Sequence, residues 1–198
     1  MNFKIWLIFI ALISFSAFKL NAQNTIKVDS LEICNTVNDF FEWYLEAINQ
    51  KRHSEFQPVF VESKTGMTTL DFTKYFYNLT KHGFLDSLII KEKLSYQHCL
   101  DELRKVKYHD FKTNFTDLDD FETVQCDFSN FYRWTGGQEP IDGIKIKSVT
   151  LINTYSAKVL IQYFDKNLEK NKNFYWGNNL VTLTKVEHSW KIESINWR

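Results

Sequence analysis

The chain has 198 residues and balances 24 Lys and Arg against 24 Asp and Glu, so its formal net charge is zero. A nucleic-acid-binding protein needs a basic face to displace counterions, and this balance argues against nucleic acid as a partner. The length is sufficient for one domain with a substantial core and short for two.

The amino-terminal segment predicts a secretory signal peptide over residues 1–22. Lys4 gives it a positive start, an apolar run covers 5–18, and Ala22 is a small residue suited to cleavage. The apolar run is short for a bilayer span of about 20 residues, and no second such run follows. We therefore expect a single secreted or periplasmic domain over 23–198, with no membrane anchor after cleavage.

The chain contains 3 cysteines, fewer than a secreted eukaryotic domain of this size usually has, which favours bacterial export. In an oxidising compartment, three thiols give one bridge and one unpaired cysteine in the simplest case. A Cys99–Cys126 bridge is our preferred pairing and would stabilise the fold by about 3–4 kcal/mol. Cys34 is then expected as a buried, inert thiol, although the sequence leaves the other pairings open.

Apolar residues at three- and four-residue steps predict a first helix over residues 30–51, with Asp29 or Ser30 as its cap. The stripe consists of Cys34, Val37, Phe41, Tyr44, Leu45 and Ile48. A connector with Pro58 and Gly66 should follow.

A second helix should begin at Thr69 or Asp71 and end at Gly83, where glycine allows a left-handed residue. Its buried face would be Phe72, Tyr75, Phe76 and Leu79. A third helix is expected after Ser87 and as far as Val106. Its polar face would carry Lys91, Glu92, Asp101, Arg104 and Lys105.

The segment 108–125 is the most acidic of the chain and has no clear period. It lacks the Asp-x-Asp-x-Asp-Gly spacing of a calcium loop, so a solvated loop or a short helix is expected. Residues 126–134 alternate well enough to predict a strand, although the alternation fails at Asn130 and Phe131. Gly136 and Gly137 then mark a turn.

The last third of the chain predicts an antiparallel meander of four strands between Ile144 and Trp197. Val, Ile, Thr and aromatic residues alternate with polar ones there, and polar turns separate the runs. Ile195 and Trp197 are out of step with Trp190 and Ile192, which predicts a β-bulge near 193–194. Helices followed by a meander define an α+β fold class.

Two segments carry a resemblance to a known family: Val37-Asn38-Asp39-Phe40-Phe41-Glu42-Trp43-Tyr44-Leu45 and Trp190-Lys191-Ile192-Glu193-Ser194-Ile195. Together with the order of elements, they resemble the nuclear-transport-factor-like (cystatin-like) superfamily, in particular its small exported bacterial domains of unknown function. The resemblance implies a cone, in which three amino-terminal helices pack on a curved antiparallel sheet. Some members use the pocket of this cone for catalysis, and many use it for binding.

Candidate catalytic residues are few. In such a cone an acid–base site would combine a buried Asp or His with a Tyr, and Asp127, Tyr132 and His98 are the nearest candidates. A Cys99–Cys126 bridge could bring His98 and Asp127 together. No nucleophile elbow, metal-ligand spacing or phosphate loop is present, so we expect neither a metal nor a cofactor.

The composition of a binding hot spot is found in Tyr132, Arg133 and Trp134, followed by Gln138 and Glu139. Tyr44 of the first helix is a further candidate binding residue, and aromatic residues make up 17% of the chain. The structural alternative is that Trp134 packs in the core while Arg133 pairs with Glu139. For Trp176 and Trp197, too, the alternatives are a binding residue and a residue packed in the core.

These features lead to three functional hypotheses. The first is an exported non-catalytic domain that binds a small ligand or a protein partner between the first helix and the curved sheet. The second is an isomerase- or dehydratase-like enzyme with a buried Asp, as the resemblance allows. The third is an envelope inhibitor or immunity protein whose acidic 110–122 segment faces a basic toxin. The sequence does not identify the ligand, the partner or the oligomeric state.

Overall fold

The computed structural model describes residues 27–116, 118–126, 128, 132–167 and 171–197. These residues form an α+β fold with seven helices and two antiparallel sheets, which confirms the fold class. The helices are α1 (27–49), α2 (His53–Phe56), α3 (Thr73–Lys81), α4 (Asp86–Ser95), α5 (Gln97–Leu103), α6 (Tyr108–Asn114) and α7 (Leu118–Thr123). The strands are β1 (Val59–Glu62), β2 (Thr68–Asp71), β3 (Gly143–Asn153), β4 (Ser156–Asn167), β5 (Lys172–Val186) and β6 (Ser189–Trp197).

The expected signal peptide, residues 1–22, lies outside the described residues. Within the described ranges, no helix combines the length and the apolar character that crossing a membrane requires.

The first predicted helix is confirmed as α1, with two corrections. Its buried stripe includes Ile33 and Phe40, and Cys34 is rotated to the edge of the stripe, where it is only partly buried. Asp29 is not the cap, because the helix already includes residues 27–30. Its carboxylate instead accepts hydrogen bonds from Lys185 Nζ at 2.5 Å and Trp190 Nε1 at 3.2 Å, and so ties α1 to the sheet.

The connector predicted between the first two helices is wrong, because it contains most of a hairpin. Strand β1 pairs antiparallel with β2, from Val59 opposite Asp71 to Glu62 opposite Thr68. Each strand has only four residues, too few for alternation to distinguish a strand from a loop.

The predicted second helix is α3, which begins at Thr73, later than expected, and ends before Gly83, as expected. Asp71 Oδ1 accepts the Thr73 N–H at 2.8 Å at its start, and Gly83 adopts a φ of +85° after its end. The expected third helix is divided into α4 and α5 at Tyr96, which has a non-helical ψ of 4°. The first of the three predicted amino-terminal helices is thus present as α1, whereas the region of the other two contains α3, α4 and α5.

The strand predicted over 126–134 is wrong within the described residues. Tyr132 N–H donates to the Gly137 carbonyl at 2.8 Å, and Gly136 N–H donates to the Tyr132 carbonyl at 2.6 Å. The segment thus closes on itself as a loop, consistent with the failed alternation of the sequence. The acidic segment before it contains the short helices α6 and α7.

The four-stranded meander is confirmed, with strand order β3-β4-β5-β6. Ile192 lies opposite Leu183 and Ser194 lies opposite Thr182, so Glu193 is the extra residue of the predicted β-bulge. The β3–β4 pair has further register shifts at Ile146/Ser148 and Leu151/Asn153, and the β4–β5 pair has one at Gln162/Tyr163. Such irregularities increase the local twist and bend of a sheet.

Two apolar clusters make up the core. The larger one joins α1 to one face of the sheet and includes Phe40, Tyr44, Val159, Val181 and Trp190. The smaller one lies among β2, α5 and α6 and includes Leu103, Phe111 and Phe128.

Cys99 and Cys126 lie within the smaller cluster at disulfide distance, with 2.04 Å between the sulfur atoms. This agrees with the preferred pairing. The bridge joins α5 to the segment after α7 and not, as expected, to a strand. Cys34 remains a free thiol.

The disulfide predicts a stability difference between two cysteine variants. The Cys99→Ala/Cys126→Ala variant should lose about 3–4 kcal/mol, because the bridge spans 27 residues and restricts the unfolded chain. Cys34→Ala should lose much less, since this thiol is free and partly exposed. Urea unfolding without reductant measures both values. Equal midpoints for the oxidised and reduced wild-type protein would contradict the prediction.

Candidate functional site

A buried carboxylate is the centre of the polar interior. The Glu92 side chain on α4 is only 1% exposed. Its Oε1 accepts hydrogen bonds from the hydroxyls of Tyr75 and Tyr96, each at 2.9 Å, and its Oε2 accepts one from Arg133 Nε at 2.9 Å. A buried charge is tolerated when it is paired and hydrogen-bonded in this way.

These partners come from different parts of the chain. Tyr75 is on α3, Tyr96 lies at the junction of α4 and α5, and Arg133 belongs to the loop before the meander. Glu92 and Tyr96 are four residues apart, the spacing at which helical side chains meet. The site depends on the tertiary packing of these three segments.

Trp134 extends the same network into the core and is only 4% exposed. Its indole Nε1 donates to the Tyr75 hydroxyl at 3.1 Å, and its backbone N–H donates to the Tyr44 hydroxyl at 3.2 Å. Trp134 therefore packs in the core, as the structural alternative stated. The other half of that alternative is wrong, because Arg133 pairs with Glu92 and not with Glu139.

The surroundings shift the pKa values of these groups. Burial raises the pKa of the Tyr44, Tyr75 and Tyr96 hydroxyls, and the nearby Glu92 charge raises each of them further. Burial would lower the pKa of Arg133, but the charge and hydrogen bond of Glu92 outweigh it, so this pKa is raised. The three tyrosines therefore remain protonated, and the guanidinium remains a cation.

Glu92 is poorly suited to act as a base. Three donors occupy most of the positions at which its carboxylate can accept a hydrogen bond from a substrate. The arrangement instead holds Arg133 and two tyrosines in place.

The other residues singled out in the sequence are dispersed. His98 is exposed on α5, while Tyr132 is half-buried with its ring 6.4 Å from that of Phe56. Gln138 and Glu139 are exposed in the loop, and Tyr44 is completely buried. Asp127 lies outside the described residues. Because Tyr44 is completely buried, a ligand cannot contact its side chain.

A cleft of about 420 Å³ lies between α1 and the β3–β4 edge of the sheet. Its apolar lining comes from Phe41 and Leu45 of α1, and from Ile144 and Phe164 of the sheet. The Phe164 ring lies against Gly143, where an added Cβ would meet ring carbons at 2.4 and 2.7 Å. Only glycine at position 143 leaves room for this ring position.

The polar lining of the cleft is acidic. Glu42, Glu46 and Asp142 contribute three carboxylates, and the remaining polar lining consists of amides: Asn38, Asn49 and Gln50. All three carboxylates are exposed. Among the residues lining this cleft there is no Lys or Arg, so its negative charge is balanced only from outside, as by Arg52 at 3.7 Å from Glu46.

Sequence reasoning missed both the Glu92 cluster and the lining of the cleft. Glu92 was placed on the polar face of the third helix, which is wrong because α4 buries it against Tyr75 and Arg133. The only sequence signal was the Glu92–Tyr96 spacing, which is common on exposed helices as well. The cleft residues are separated by almost 100 positions and become neighbours only when α1 packs on the sheet.

Comparison with known proteins found no matching family model, curated protein or solved structure. Among the described residues, no group of three or more His, Cys, Asp and Glu side chains is arranged to hold a metal ion.

The raised tyrosine pKa values predict a loss of stability at alkaline pH. The tyrosines of the unfolded chain ionise near pH 10, at about the ordinary pKa of the side chain. Tyr75 and Tyr96 keep their protons in the folded state, so their contribution is complete below that pH and is lost as the pH rises above it. Tyr75→Phe should therefore flatten the fall in the free energy of unfolding between pH 9 and pH 11.

At neutral pH the same variant should lose about 1–2 kcal/mol, because Glu92 and the Trp134 indole each lose a partner. Tyr77→Phe is the matched control, since Tyr77 is on the same helix but 66% exposed. Urea titrations at a series of pH values measure both effects. Parallel curves for wild type and Tyr75→Phe would contradict this role for Tyr75.

Proposed function

We propose that this chain is an exported, non-catalytic binding domain whose ligand lies in the cleft between α1 and the β3–β4 edge. The observation that carries the proposal is the cleft itself, with its apolar floor and acidic rim. Its volume of about 420 Å³ is within the range of small-molecule sites.

The lining favours a ligand that is both cationic and partly apolar. Leu45, Ile144 and Phe164 would contact an apolar body, while Glu42, Glu46 and Asp142 would attract a positive charge. An amine with an aromatic or aliphatic body has this chemistry, as does a Lys or Arg side chain of a protein partner. A small anion would be repelled from the rim.

The proposed fold is the cone that the resemblance implies, with α1 in the hollow of a curved sheet. Two observations support it: α1 packs on the buried face of the four-stranded sheet, and the register of that sheet shifts at several positions. The proposed location is outside the cytoplasm. The Cys99–Cys126 pair is compatible with an oxidising compartment.

An enzyme of the isomerase or dehydratase type remains the alternative, but the described part of the chain gives it less support. Such an enzyme needs a carboxylate that can accept a proton from the substrate. Glu92 is buried beside a recess, yet it is already bound by Tyr75, Tyr96 and Arg133.

Dansylcadaverine, a fluorescent amine with an apolar body, tests the ligand chemistry. The protein should increase its fluorescence in a saturable way, while the N-acetylated form and dansylglycine should bind at least about tenfold more weakly, since they lack the cation. The Glu42→Gln/Glu46→Gln variant should weaken the binding of the amine by about fivefold, because two exposed charges each contribute about 0.5 kcal/mol.

The control is Asp39→Asn/Glu62→Gln, which removes the same charge from exposed positions that do not line the cleft. Its affinity for dansylcadaverine should equal that of the wild type. The same loss of affinity in both variants would indicate a general charge effect and not a site. Equal binding of the amine and its acetylated form would refute the cationic ligand.

A further inference from the structure

The outer edge of β6 is only partly covered by the rest of the chain. Next to Ile192, the segment Gly83–Leu85 runs parallel to β6 and pairs with it. Ile192 N–H donates to the Gly83 carbonyl at 2.7 Å, and Leu85 N–H donates to the Ile192 carbonyl at 2.9 Å. The chain then turns away into α4, so this added strand ends after one residue of β6.

Ile195 is the next residue of β6 that faces this edge. Its partner on β5 is Val181, two positions from Leu183, the partner of Ile192. Since the direction of hydrogen bonding alternates along β5, Ile195 points its N–H and carbonyl outward, as Ile192 does. Within the described part of the chain, no backbone hydrogen bond from outside the sheet reaches Ile195.

A recess of about 230 Å³ lies beside this open edge. It is lined by Glu193–Asn196 of β6 and by Leu88, Lys91 and Glu92 of α4. Arg133 and Trp134 close it. The edge is thus recessed, which leaves room for one segment of chain and hinders the sheet-to-sheet pairing that flat edges invite.

Two cations, Arg133 and Lys91, are accessible in the recess. Arg133 keeps 41% of its side chain exposed while its Nε is held by Glu92, and its guanidinium lies 5.6 Å from the centre of the Trp134 ring. Lys91 is exposed on α4. Of the two carboxylates in the lining, Glu92 is buried and bound by three donors, whereas Glu193 is exposed and accepts a hydrogen bond from Thr184 Oγ1 at 2.6 Å.

The position of Arg133 is suited to binding an anion. Because Nε donates to Glu92, the side chain is held in one orientation, and no hydrogen bond within the described residues engages its terminal nitrogens. A guanidinium held in this way can form paired hydrogen bonds with a carboxylate, at a smaller entropic loss than a free side chain.

We propose that this recess binds the carboxyl terminus of an extended peptide. The main chain of the peptide pairs with Ile195 and continues the strand addition that Gly83–Leu85 begins. The terminal carboxylate binds Arg133 and Lys91, and a small apolar terminal side chain contacts Leu88. Strand addition gives affinity through main-chain hydrogen bonds, and the charge at its end selects a free terminus. The site is separate from the acidic cleft and does not depend on its ligand.

The test uses a fluorescein-labelled Ser-Thr-Val-Thr-Ala peptide and the full exported domain. Fluorescence polarisation should show saturable binding of the free acid, and the carboxamide form should bind at least about tenfold more weakly. Lys91→Gln and Arg133→Gln should each weaken binding of the acid by about fivefold or more. Absence of saturable binding by the free acid, or equal binding of acid and amide, would overturn the proposal.

Ile195→Pro tests the main-chain pairing, because it removes an N–H that points away from β5 and leaves the ladder intact. Its matched control is Ile195→Val, which keeps the N–H. Proline should abolish binding and valine should preserve it, with both folds checked by circular dichroism. Arg133→Gln leaves Glu92 without its cation and could unfold the protein for that reason alone. In that case the Lys91→Gln variant, which changes an exposed residue, provides the test.

Competition distinguishes a peptide terminus from a free carboxylate. Acetate and N-acetylalanine should displace the labelled peptide only at concentrations about a hundredfold higher than the unlabelled peptide requires. Displacement at equal concentrations would assign the recess to small carboxylates and overturn the peptide proposal. Peptide binding should survive in Glu42→Gln/Glu46→Gln, so the two proposals can be refuted independently of each other.

Discussion

The burial of the Glu92 carboxylate is the constraint on which much of the structure depends. An ion removed from water loses several kcal/mol of solvation unless it gains partners. Tyr75, Tyr96 and Arg133 supply these partners, and each comes from a different segment of the chain. Because all three donors must reach the same carboxylate, α3, α4 and the loop at 132–135 are held together.

This constraint also sets the chemistry of the surface. Trp134 follows Arg133, and its hydrogen bonds to Tyr75 and Tyr44 join the polar cluster to the core between α1 and the sheet. On one side of that core α1 presents an acidic cleft, and on the other α4 and β6 enclose a recess with two accessible cations. The two proposed sites would thus take ligands of opposite charge, although the formal net charge of the chain is zero.

The helix α1, the meander and the bulge at Glu193 could be predicted because their patterns are local. A helix stripe repeats at 3.6 residues and a strand at 2, and a bulge shifts the second pattern by one position. The hairpin of β1 and β2 is too short for such a pattern, and the loop that contains Trp134 has aromatic residues without a strand. Arginine at position 133 was recognised as unusual, but its partner was sought six residues away and lies 41 residues away.

The sequence by itself determined the α+β class, the main helix and the order of the sheet strands, because short-range periodicity encodes them, whereas the cysteine number indicated one bridge without fixing its partners. Only the tertiary structure decided which polar side chains are buried and which recesses remain open. Glu92 has the same local context as many exposed helical glutamates, and the cleft joins residues of α1 to residues of β3 and β4. Burial and cavities arise from contacts between distant segments, and no local pattern records them.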